Sequence, residues 1–130
     1  MATVHREPNQ VKWIGVRPGH NGEQIIKNAS ANNATVEIYE VPADKLLFIF
    51  GYFVSITAAV NVAGYLEIHT AVPALESTLY TAGARAGYST SVTHNFGNVP
   101  IEVAAGYFIK VRSSAAAPVD AGFNGILIDA

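Results

Sequence analysis

The sequence predicts an all-β fold: a jelly-roll-like β-sandwich of about eight to ten short antiparallel strands, with an N-terminal arm. Three observations lead there. Short runs rich in Val, Ile, Tyr, Phe and Thr recur along the 130 residues, separated by turn dipeptides. That spacing is the pattern of a two-sheet sandwich. Apolar residues within the runs alternate with period two, and no convincing amphipathic helix interrupts them. The composition, 50% hydrophobic and 14% charged with a net charge of −2, supports one domain with a real core. It argues against disorder and against a polybasic nucleic-acid surface. An immunoglobulin-like sandwich has similar strand spacing, but its paired Cys and central Trp are missing.

Along the chain, residues 1–10 are polar, carry no period and read as an arm. Val11 to Arg17 is a candidate first strand, with the turn dipeptides Pro18-Gly19 and Asn21-Gly22 after it. Gln24 to Ala31 has room for about one helical turn, and Asn28 to Asn33 reads as a polar loop. Residues 1–33 therefore form the arm and first strand, and residues 34–130 the sandwich. Thr35 to Val41 is a strand closed by Pro42, Ala43 and Asp44, with Asp44 capping local backbone. Lys45 to Thr57 is a long apolar strand. Asn61 to Gly64 reads as a turn or bulge, and Tyr65 to Val72 as an alternating strand. Ser77 to Thr81 is a short strand, and Ala82 to Tyr88 a loop. Thr90 to Phe96 and Val99 to Val103 are joined by Gly97-Asn98. Tyr107 to Arg112 alternates cleanly. Ser113 to Pro118 is a loop, Asp120 a capping residue, and Phe123 to Ile128 the last strand.

One window carries no charge at all: Leu46 to Leu66, 21 residues. Its length suits a membrane helix. Its period does not. Leu46, Phe48, Phe50, Tyr52, Val54 and Ile56 are apolar at every second position, which is a sheet signal. No membrane contact is expected. The opposite register adds Leu47, Ile49 and Phe53, and the last strand carries Ile126 and Ile128 opposite Phe123 and Leu127. A sandwich strand needs only one apolar face. Surplus apolar faces mark interfaces, so Leu47, Ile49, Phe53, Ile126 and Ile128 are the expected subunit interface of a homo-oligomer with closed symmetry.

No reactive constellation emerges. The chain has no cysteine, which excludes disulfides, Cys-based zinc sites and Cys nucleophiles. His5, His20, His69 and His94 have no metal-ligand spacing. Glu37, Glu67 and Glu102 fall on polar-facing strand positions and are expected to be solvated or paired with cations. Ser113 and Ser114 lack a nucleophile elbow, and Gly83 to Gly87 lacks the strand-to-helix setting of a phosphate loop. No catalytic residue, cofactor or metal is expected. Asn28 and Asn33 match glycosylation acceptor patterns, which matter only on a secretory route. The first residues contain no apolar signal-peptide core, so the product is expected in the cytoplasm or in an assembly that leaves it. Tyr65, Tyr80, Tyr88 and Trp13 are candidates for a sugar-stacking platform.

The run Val36–Ile49 (VEIYEVPADKLLFI) resembles a pattern in small jelly-roll virion proteins of tailed bacteriophages, where a strand ends in a Val-Pro-Ala turn and the chain enters a long apolar strand. Pro100–Ser113 (PIEVAAGYFIKVRS) and Phe123–Ile128 (FNGILI) are similar in the same way. The resemblance covers residues 34–129 and supplies no site motif. It implies a structural virion protein, a trimeric capsid-decoration protein that cements the head by bridging subunits of the major capsid protein. Its location would be the virion, without direct nucleic-acid contact. Arg6, Lys12, Trp13 and Arg17 on the arm are the candidate capsid contacts, on the reasoning that arms ordering on binding wrap large surfaces. The alternative is a receptor- or glycan-binding head on a tail fibre, with a cleft around Tyr80 to Tyr88. A hydrolase or isomerase on a cupin-like barrel is a third reading and would require a bound metal.

Overall fold

The computed structural model describes residues 22–57, 59–70, 75–95 and 100–130. Among them nine strands form two antiparallel sheets: β1 (Glu23–Asn32), β2 (Thr35–Glu40), β3 (Lys45–Ile56), β4 (Val62–His69), β5 (Leu75–Ala84), β6 (Thr90–Asn95), β7 (Ile101–Val103), β8 (Phe108–Ser113) and β9 (Pro118–Asp129). The first sheet runs β1-β9-β3-β6, with β7 also on β3; the second runs β2-β8-β4-β5. The pairs β1·β9, β2·β8, β3·β6/β7 and β4·β5 are those of one long hairpin, outermost strand with outermost. Its successive segments fall in alternate sheets. That is the jelly-roll order. β6 pairs Gly51 to Ile56 of β3 and β7 pairs Leu47 to Ile49 along the same edge, so the two act as one interrupted edge strand.

The core lies between the sheets. Leu47, Ile49, Val54, Ile56, Leu66, Ile109, Val111 and Val119 are almost wholly buried there. Burying each such side chain is worth about 1.5–3 kcal/mol. Tyr52, stacked on His94 at 5.6 Å, and Phe123, against Tyr39 at 5.8 Å, are buried in the same core.

The long strand does not keep one register. Its pairing with β9 shifts between Ile49 and Gly51, which makes Phe50 a bulge residue. A bulge inserts one residue into one strand and so reverses the parity of the residues beyond it. Before it, Leu47 and Ile49 point into the core; after it, Tyr52, Val54 and Ile56 do. Leu46, Phe48 and Phe50 form a separate cluster with Ile126 and Ile128. The uniform alternation expected across Leu46 to Ile56 is thus corrected. Two further bulges offset β5 against β4.

Other differences are in strand length. Residues 28–32, expected as a loop, continue β1, because Ile25 and Ala31 bury at strand spacing and β9 supplies backbone partners. No helical turn forms at residues 24–31. Val62 to Gly64 belong to β4, not to a turn. Ala82 to Ala84 extend β5, burying both alanines. β9 begins at Pro118, so Asp120 sits inside a strand, opposite Ser30 and Ser55. Asp44 adopts φ +63 in the turn where Lys45 N donates to Pro42 O. The candidate strand at 11–17 and the arm lie outside the described residues, as does the Gly97-Asn98 junction. No described helix is long and apolar enough to cross a membrane.

Candidate functional site

The two outer faces of the sandwich differ in chemistry. On the second sheet, Tyr65, Glu67 and His69 of β4 and Lys110 and Arg112 of β8 alternate with core residues and face outward. Glu67 is only 2% exposed despite its outer position. Arg112 donates to its Oε2 from Nε at 3.1 Å and Nη2 at 2.9 Å, and His69 Nε2 lies 3.1 Å from Oε1. The Arg112 guanidinium in turn rests 3.7 Å above the Tyr65 ring centroid. Burial pushes the Glu67 carboxyl up, but the hydrogen bonds from Arg112 and His69 outweigh it and hold the pKa below the ordinary value. Arg112 is correspondingly raised by its bond to Glu67. Lys110 stands opposite Glu37 on one side and Glu67 on the other. Arg112 thus neutralises Glu67 within the chain, while Lys110 Nζ lies 5.3 Å from the Phe108 ring centroid.

The first sheet's outer face is apolar at one end. Leu46, Phe48 and Phe50 of β3 meet Ile126 and Ile128 of β9. Phe48 is fully buried, Leu46, Phe50 and Ile128 are partly open, and Ile26 on neighbouring β1 is 63% exposed. Of the expected interface residues, Ile126 and Ile128 belong to this cluster and Phe53 is half-buried farther along the same face. Leu47 and Ile49 do not belong to it: both are inside the inter-sheet core, wholly buried, because the bulge at Phe50 sets their parity. That expectation is corrected, and their places on the outer face are taken by Leu46, Phe48 and Phe50. The signal was present in the sequence, since a glycine inside an apolar strand, here Gly51, often marks a bulge. Arg6, Lys12, Trp13 and Arg17 lie outside the described residues.

Trp13 lies outside the described residues, and the other three members of the expected aromatic platform are not brought together. Tyr65 lies under Arg112 on the second sheet's outer face, Tyr80 leans on Tyr52 at 6.0 Å, and Tyr88 is 68% exposed beside Arg85 in the turn after β5. His69 and His94 are also apart, one on Glu67 and the other on Tyr52. Among the described residues no group of three or more His, Cys, Asp or Glu is placed to hold a metal ion.

No family model and no curated protein matches this sequence. Solved structures are similar in fold. A pentameric capsid protein from metagenomic phage sequences aligns over 99% of this chain and 77% of its own, at 15% identity and TM-score 0.44. A protein of Bacillus endospore appendages, a family of disulfide-linked pili, aligns over 83% and 86%, at 13% identity and TM-score 0.39. A chain of the T13 IBDV viral particle aligns over 88% of this chain but 35% of its own, at 10% identity and TM-score 0.44. At these values the likeness is one of fold and assigns no partner.

Proposed function

We propose that this chain is a structural virion protein, a homo-oligomeric capsid-decoration protein that docks where capsid subunits meet and stabilises the head. The observation that carries the reading is the apolar cluster on the outer face of the first sheet, where Leu46, Phe50 and Ile128 remain partly open around the buried Phe48 and Ile126. An outer sheet face is ordinarily polar, and an apolar patch of this kind suits contact with another protein. The resemblance of residues 34–129 to phage decoration proteins supports the capsid as that partner and the trimer as the oligomer. Buried surface added across the joints between capsid subunits opposes their separation. Arg6, Lys12, Trp13 and Arg17 are assigned to the same contact. The role is mechanical rather than catalytic.

The test uses heads purified without the protein, to which it is added back. Leu46→Glu with Ile128→Glu places two charges on the cluster and is expected to abolish head occupancy. Light scattering of the wild type at low micromolar concentration is expected to give a trimer mass. Full occupancy by the double variant, or a stable single-subunit mass, overturns the assignment. Loss of occupancy on deleting residues 2–10 extends the contact to the arm.

A further inference from the structure

Beyond the apolar cluster the first sheet's outer face turns polar. There β1, β9, β3 and β6 border an open groove of about 160 Å³. Ile26 and the half-buried Phe53 give it an apolar floor; Asn28, Thr93, Asn95 and Asn124 give it a polar rim. Two glycines create it. A Cβ on Gly122 would come within 2.6 Å of Phe53 Cε1, so the missing side chain lets the Phe53 ring lie down on β9. A Cβ on Gly51 would come within 2.6 Å of Asn95 Oδ1 and 2.7 Å of Asn124 Oδ1, so two carboxamides from different strands converge over one point. The Asn28, Asn95 and Asn124 side chains are exposed and make no hydrogen bond among the described residues. The lining contains no carboxylate, and Lys27 is its single charged residue.

The geometry points to a saccharide subsite, in which a neutral pyranose ring lies on Phe53 and Ile26 and its hydroxyls reach Asn95, Asn124 and Thr93. The ring's C–H face matches the apolar floor. A carboxamide both donates and accepts hydrogen bonds, as a sugar hydroxyl does. A wholly apolar ligand would cover these amides and leave them unpaired, at a desolvation cost. An anion would find one lysine and no second cation. The groove is smaller than the roughly 300–1,000 Å³ of sites for drug-sized ligands, so it takes one ring, with a Kd in about the millimolar range. Repetition of the site across an oligomer raises the effective affinity for a polyvalent glycan. The inference concerns residues outside the apolar cluster and does not rest on capsid binding.

Amide chemical-shift titration of the full chain with the methyl glycosides of glucose, galactose, mannose and N-acetylglucosamine tests it. At least one glycoside is expected to give saturable shifts centred on Ile26, Phe53, Thr93, Asn95 and Asn124. Asn124→Ala, at an exposed position, is expected to weaken that binding about tenfold with thermal unfolding unchanged. Phe53→Ala is expected to weaken it as well. Absence of saturable shifts with all four glycosides, shifts centred elsewhere, or unchanged affinity in Asn124→Ala overturns the assignment.

Discussion

The outer faces of the two sheets solve the same problem differently. Each must present strand side chains outside the core, and each carries one almost wholly buried residue there: Glu67 on the second sheet, Phe48 on the first. Glu67 is buried by its own partners, Arg112 and His69, and the charges around it come in opposing pairs. The buried carboxylate is satisfied within the chain. Phe48 sits among Leu46, Phe50, Ile126 and Ile128, three of which remain partly open. Apolar groups have no equivalent of charge pairing; they are satisfied only by more covered area. The contrast separates burial reached by charge pairing from burial reached by apolar packing.

Removing Phe48 is expected to have the largest effect. If the outer cluster is a second small core, Phe48→Ala costs about 3–5 kcal/mol, as for other buried aromatic truncations. Denaturant unfolding of the chain reads this directly. A loss below about 1 kcal/mol, the range of an ordinary surface change, would mean that the burial of Phe48 contributes little to the fold.

The charged face is probed by pH. Glu67 is ionised and paired in the folded chain, with its pKa held below the ordinary 4.5. A carboxyl whose folded pKa is depressed contributes stability that is complete above the unfolded value and is lost as pH falls through the folded one. Thermal unfolding is therefore expected to lose this contribution below about pH 4.5 and to hold it at neutral pH. Glu67→Gln keeps the shape but removes the charge, and costs about 2 kcal/mol at pH 7, the scale of a hydrogen bond to a charged group. In acid the gap between the variant and the wild type closes. A gap that stays constant down to pH 3 means that packing, not ionisation, holds Glu67 in place.

Much of this organisation was legible in the residues. Period-two alternation located β2, β3, β4 and β8 to within a few positions, and turn residues marked Pro42 to Asp44. The surplus of apolar residues on β3 and β9 has a counterpart in a second apolar cluster, but on β3 it is made of Leu46, Phe48 and Phe50 rather than the residues expected. What alternation could not supply was its phase. One inserted residue at Phe50 exchanges the two faces of β3, and Leu47 and Ile49 are as apolar as Leu46 and Phe48, so composition does not separate them. β1 was missed for another reason: residues 28–32 (NASAN) carry small, polar side chains with weak strand preference, and the backbone of β9 holds them in the sheet. The groove was illegible because Asn28, Asn95 and Asn124 come from three strands far apart in sequence. Glu67 read as a solvated or paired carboxylate; that it is buried follows from the Arg112 guanidinium laid over Tyr65.

The smallest effect is the one that isolates burial as the cause. Lys45 and Asp129 form an ion pair at the matched ends of β3 and β9, with Nζ 2.5 Å from Oδ1 and the Asp129 side chain 86% exposed. Its partners shift each other in the usual directions, the lysine up and the aspartate down, chiefly through their hydrogen bond. In chemistry it is the same kind of contact as Arg112 with Glu67, and it is shorter. Water surrounds it, however, so the attraction is screened and both side chains lose freedom in making it. Lys45→Ala is therefore expected to leave the unfolding temperature unchanged within error, at low salt as well as high. An effect as large as that of Glu67→Gln would mean that distance rather than desolvation sets the worth of these pairs, and the contrast between the two faces would lose its physical basis.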